Sequence, residues 1–255
     1  MQTSQPVAPE PERALILGWN WRAPSIINAL DHYVAPGSSV TVVADVDQGE
    51  AEIARECSAL QHQTVTFTSG DTTDRRTLDG LAVQTYNHLI VLCYDHLDPQ
   101  QADARTLITL LHLRDIAERV GHPFSIVSEM LDVRNRNLAE VTRADDFIVS
   151  DKLISLMLAQ VSENKALNAV FADIFDPEGS EIYLKPATNY VKPGVAVNFY
   201  TVVESARQRG EIAIGYRLKR YADDASKAYG VVVNPDKSNQ VTFAEEDRMI
   251  VVAED

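Results

Sequence analysis

The chain has 255 residues, 45% hydrophobic and 24% charged, the balance of a folded globular protein with room for more than one core. Its 37 acidic and 23 basic residues give a formal net charge of −14, which argues against a nucleic-acid binder and against direct attachment to an anionic membrane. Without a signal peptide or an apolar run of roughly 18 residues the chain as given is expected to be soluble, and two isolated cysteines, Cys57 and Cys93, fit a reduced, cytoplasmic setting.

Residues 1–12, MQTSQPVAPEPE, are polar and proline-rich and read as a flexible tail. From residue 13 to 150 short, apolar, β-branched runs alternate with helical ones. Strands are predicted at Ala14–Leu17, Ser39–Ala44, Thr64–Thr68, His88–Cys93, Phe124–Ser128 and Asp146–Val149. Helices are predicted at Pro24–Tyr33, with Ile26, Ile27 and Leu30 on one stripe, and at Gln48–Leu60, with Ile53, Cys57 and Leu60. The longest, Pro99–Val120, carries Leu107, Leu110, Leu111, Leu113 and Ile116 and is stopped by Gly121 and Pro123. Six βα repeats predict an α/β fold, a Rossmann-like doubly wound parallel sheet.

Asp151 to about Asp173 reads as one long helix, N-capped by Ser150 or Asp151. Its apolar positions Leu153, Ile154, Leu156, Met157, Leu158 and Val161 cover more than one face, and a second stripe follows at Leu167, Val170, Phe171 and Ile174. Such a helix is expected to be buried on several sides, by its own lobe or by another chain as well. After DPEGS the pattern changes to period two. SEIYLKPATNYV, EIAIGYRL and DRMIVVAED read as strands, GVVVNPDKSNQVTF as strands with a turn at Asn234–Ser238, and VAVNFYTVVESARQRG as a strand running into a short helix. Residues 175–255 are therefore expected to form a smaller α+β C-terminal lobe.

The first βα turn lies where a dinucleotide fold carries G-x-G-x-x-G, and here the six positions are Gly18, Trp19, Asn20, Trp21, Arg22 and Ala23. The second glycine of that pattern lets a pyrophosphate approach the backbone and the third lets helix and strand pack closely; both are replaced. A structural turn with two packed tryptophans is favoured over a retained NAD site. Free helix N–H groups and Arg22 still leave an anion partner open. Asp45, 27 residues beyond Gly18, suits a ribose-binding carboxylate. Asp71, in SGDTTD, either caps the next helix or reaches an adenine-side group, with capping favoured.

Carboxylates cluster in ADVDQGE (Asp45, Asp47, Glu50) and in ADIFDPEGSE (Asp173, Asp176, Glu178, Glu181). Ca²⁺ takes six to eight oxygens, often from short acidic loops, so each run is read either as a calcium site or as a solvated loop. The six histidines show no metal-ligand spacing, and there is neither a G-x-S-x-G elbow nor a Walker loop. No catalytic residue is assigned. A Rossmann-fold, NAD-dependent oxidoreductase remains as the alternative class.

ALILGWN on the first strand, VTVVAD on the second, GDTTD after the third and HLIVLCYD on the fourth resemble an RCK domain (regulator of K⁺ conductance). More narrowly, LILGWN, SENKALNAVFADIFDPEGSEIYLKP and the tail strands resemble the cytosolic region of Castor/Pollux-type ion channels and their bacterial relatives. The resemblance implies a Rossmann-like lobe at 13–150, a crossover and dimerisation helix at 151–174 and a C-lobe at 175–255. It also implies a homo-oligomer, a ring of eight lobes beneath a tetrameric pore that lies outside this sequence. Ligand binding, by Ca²⁺ in this family, changes the lobe angles and pulls on the pore; a nucleotide-sensing subunit of a K⁺ transporter is the related alternative.

Overall fold

Val, Ile, Leu and Thr dominate the short runs between residues 13 and 149, and these runs become the strands of one parallel sheet. They are β1 Arg13–Leu17, β2 Ser38–Ala44, β3 Gln63–Ser69, β4 His88–Val91, β5 Ile126–Met130 and β6 Asp146–Val149, in the spatial order β3-β2-β1-β4-β5-β6. The structure is a computed structural model, and it describes residues 10–122, 124–135, 146–176, 179–222 and 224–254. The chain divides into two compact units, 1–163 and 164–255.

In the first unit the pleat of β1 sends alternate side chains to opposite faces. Ala14 and Ile16 pack with Ile27 of α1 (Ala23–Tyr33) and Ile53 of α2 (Gly49–Glu56). Leu15 and Leu17 pack with Leu78 of α3 (Arg75–Gly80) and with Leu110 and Leu113 of α4 (Pro99–Val120). Leu15, Ile16 and Leu17 are wholly buried, each such side chain stabilising the fold by about 1.5–3 kcal/mol. α4 is bounded as its sequence demands. Asp98 accepts hydrogen bonds from the Gln100 and Gln101 amides at 3.1 and 3.2 Å, Pro99 opens the helix, and Gly121 ends it at φ 70°. The strand order reverses between β1 and β4, the switch point at which open α/β sheets offer a crevice.

Several expectations need correction here. α2 ends at Glu56 rather than Leu60, and β5 starts at Ile126, two residues late. The helix expected between β5 and β6 falls largely on residues 136–145, outside the described residues; Val133–Asn135 before them form a 3-10 turn. The predicted long helix is two helices, α5 (Ser150–Glu163) and α6 (Leu167–Ile174). The break is local chemistry: Asn164 accepts from the Ala166 amide through its side chain (3.1 Å) and from the Leu167 amide through its carbonyl (3.0 Å), replacing the helical ladder. The division between the two units falls at this break. Within the chain α5 is not buried: Leu153, Ile154, Leu156 and Leu158 are 47%, 51%, 56% and 65% exposed.

The second unit is α+β. β7 (Glu181–Pro186), β9 (Ile212–Arg217), β10 (Val231–Val233) and β12 (Arg248–Ala253) form an antiparallel sheet ordered β10-β9-β12-β7. β8 (Ala196–Asn198) pairs with β11 (Gln240–Thr242), so the two strands flanking the Asn234–Ser238 turn pair with other partners and not with each other. Helix α7 (Phe199–Arg207) is capped by the Asn198 side chain, which accepts from the Thr201 amide at 3.1 Å. Its Phe199, Val202 and Ala206 meet Tyr216, Phe243, Met249 and Val251 in a core of the unit's own.

Candidate functional site

β1 delivers the chain to the switch point at Gly18, whose φ of +94° favours glycine and whose added Cβ would stand 2.2 Å from the Leu92 carbonyl oxygen. The glycine is therefore required by the close approach of the end of β4. Trp19 turns inward, is 6% exposed, and meets Phe67 edge-on at 6.1 Å. Trp21 does not pack: it is 67% exposed, contrary to the expectation of two packed tryptophans. Its ring carries the Arg22 guanidinium at 5.1 Å instead.

Asn20 is the hub. Almost fully buried, it donates through Nδ2 to the Cys93 carbonyl (2.9 Å) and to Glu129 Oε2 (2.7 Å), and its Oδ1 accepts from the Arg22 amide (3.0 Å). Glu129, on β5, also accepts from the Cys93 amide at 3.3 Å and pairs with the Arg22 guanidinium. Beneath it lies buried Asp103 of α4. Asp103 accepts from the Leu131 and Asp132 amides at 2.9 and 3.0 Å and from the Asn135 side chain at 2.8 Å, and the Cys93 thiol donates to it. Burial pushes the Cys93 thiol up to about 12. The network belongs to β1, β4, α4 and β5 at once, so each buried polar group is satisfied by a different element.

The remaining candidate residues are dispersed. The Asp45 amide donates to the Tyr94 hydroxyl at 3.1 Å, while the Asp45 and Asp47 side chains are exposed on the loop after β2 and Glu50 is exposed in the first turn of α2. Asp71 is not the helix cap; Asp74 is, accepting from the Arg76 amide at 2.9 Å. Asp71 accepts from the Thr73 amide and hydroxyl and from Arg105 (2.8 Å). Burial would raise its carboxyl, but these partners hold it below the ordinary carboxylate range. Asp173 and Asp176 are exposed, Glu181 accepts from the Tyr183 hydroxyl at 2.6 Å, and Glu178 lies outside the described residues. Among the described residues no three His, Cys, Asp or Glu side chains converge as a metal-holding group.

Beside this network a groove of about 530 Å³ runs along the sheet between α1 and β4–β5. Ile26, Leu30, Ile90, Leu92 and Val127 wall it, and the Arg22–Glu129 pair lies at the end toward the strand C-termini. No helix among the described residues is long and apolar enough to cross a membrane.

Sequence comparison bears on the identity of this lobe. No protein-family model matches the chain. The probable ion channel CASTOR of Oryza sativa subsp. japonica is 31% identical over 283 residues, covering 97% of this chain and 31% of the channel. Ion channel CASTOR of Lotus japonicus is 30% identical over 278 residues, covering 96% and 32%. The probable ion channel POLLUX of Arabidopsis thaliana is 30% identical over 279 residues, covering 95% and 33%. The gating ring of human SLO3 superposes with a TM-score of 0.62 at 12% identity, covering 96% of this chain and 44% of that one. Matched in sequence over nearly its whole length, the chain is a homologue of the CASTOR/POLLUX ion channels across about a third of their length, and it has the fold of the SLO3 gating ring.

Proposed function

We propose that this chain is a cytoplasmic, non-enzymatic, ligand-sensing regulatory domain of a cation channel. It assembles with further copies of itself and couples a bound ligand to a pore built from other, membrane-spanning segments. The carrying observation is the match to ion channels over 97% of the chain together with a gating-ring fold. Assembly is supported by α5, whose leucines and isoleucine face solvent on several sides, and by the apolar groove between α1 and β4–β5. In this reading α5 and α6 are the dimerisation element. Replacing Leu156 and Met157 together by glutamate is expected to weaken self-association by at least about tenfold in sedimentation equilibrium. Unchanged assembly would remove α5 from the interface.

Ca²⁺ is the ligand in this proposal, shifting the assembly between two states through its differential affinity for them. The acidic excess and the two carboxylate runs, Asp45–Glu50 and Asp173–Glu181, support it. Calorimetry of the metal-stripped protein tests it. Saturable Ca²⁺ binding in the micromolar-to-millimolar range, weakened by joint Asp173→Asn and Asp176→Asn substitution, is the expected result. No calcium heat would sink the calcium part while leaving the assembly test to decide the regulatory part.

A further inference from the structure

A Rossmann lobe that holds a dinucleotide needs an open crevice at the switch point, backbone amides free to face the pyrophosphate, and glycines that keep side chains out of its way. This lobe meets the three requirements differently. Tyr94 leaves the end of β4, is 2% exposed, and its hydroxyl accepts from the Asp45 amide at the end of β2. Because β1 lies between β4 and β2, the phenol side chain spans the end of β1, across the crevice itself. At the second glycine position Asn20 fills the space with a side chain tied on both sides, to Cys93 and to Glu129.

Three amides of the turn are also taken. Trp21 N donates to Asp95 Oδ2 at 2.9 Å, Arg22 N to Asn20 Oδ1 at 3.0 Å and Ala23 N to the Asn20 carbonyl at 2.9 Å; residue 24 is proline and has no amide proton. The Arg22 guanidinium, the one side-chain cation of the turn, is paired with Glu129. Two carboxylates thus hold the donors a phosphate would use, and their charge repels one.

We infer that the nucleotide crevice of this lobe is closed by its own side chains, Tyr94 across the crevice, Asp95 on the Trp21 amide and Glu129 on Arg22, so that it takes neither a dinucleotide nor free pyrophosphate. The Asp95 carboxylate stands where the anion would. This goes beyond the regulatory reading and does not depend on it: a gating domain with an open crevice would be equally regulatory.

The test is titration of the full chain with inorganic pyrophosphate and with NAD, read by calorimetry and by the Trp21 amide resonance. The wild type shows no saturable binding of either. Asp95 is exposed, so Asp95→Ala leaves the fold intact while freeing the Trp21 amide and removing a charge. Saturable pyrophosphate binding then appears, with the Trp21 amide shifting most. Asp95→Asn keeps an acceptor and gives a smaller gain. Saturable wild-type binding that moves the Trp21 amide would overturn the inference. So would an Asp95→Ala protein, folded by circular dichroism, whose pyrophosphate affinity equals that of the wild type.

Discussion

Cys93 and Asp31 are both buried and titratable, and their surroundings push them to opposite outcomes. Cys93 is held neutral: burial dominates, and neither Thr106 nor Asp103 offers it a cation. Cys57 is raised by burial too. Both thiols are therefore expected to resist a disulfide reagent at pH 8 in the native protein and to react only on unfolding. A fast-reacting native thiol would contradict this. Burial alone would raise Asp31, but the Gln61, His62 and Gln63 amides donate to it at 2.7, 2.9 and 2.9 Å and hold it below the ordinary range. A depressed carboxyl stabilises the fold above its unfolded value and loses that contribution as pH falls through its folded one. Asp31→Ala is expected to cost about 2–4 kcal/mol in urea unfolding at pH 7, a gap that narrows below about pH 4. At this scale the sequence was only partly readable. Gly18 stood out because a strand ended on it. Glu129 and Asp103 did not, although FSIVSEM sets a glutamate inside an apolar strand and Asp103 sits within an amphipathic helix; a buried charge looks like a surface one until its partners, up to 109 residues away, are known.

Elements whose ends carry their own stop signals were read to the residue. α4 is the example, with an aspartate cap, a proline and a left-handed glycine all in its sequence. Asp98→Ala is expected to cost about 1 kcal/mol in the same unfolding assay without changing self-association. α2 ran short because no such signal marks its end; the backbone leaves helical geometry at Cys57. The α5–α6 break shows the converse: an apolar periodicity continues through residues 164–166, but Asn164 offers its side chain to the backbone and the local bond wins. Similarly, the strands around Asn234–Ser238 alternate like a hairpin, yet β10 follows β9 and β11 follows β8, a choice made by partners outside the turn.

On the scale of the molecule, the α/β-then-α+β order was legible because the periodicity changes from 3.6 to two near residue 180. Among the described residues, the hydrophobic core of the second unit draws on residues 183–253. Residues 164–255 produced alone are accordingly expected to unfold cooperatively in urea with near-ultraviolet signals from Tyr216 and Phe243; a featureless, non-cooperative profile would show that the unit depends on the first. Another feature bears on the proposed regulatory role. Val149 closes β6 and Ser150 opens α5, with no residue between. A joint of that kind has no slack. A tilt of α5 has no intervening loop in which to dissipate, and it reaches an edge strand whose Ile148 is registered against Glu129. Glu129 in turn clasps Asn20 and Arg22. The helix is a handle bolted to the sheet, and the sealed first turn is the far end of its shaft.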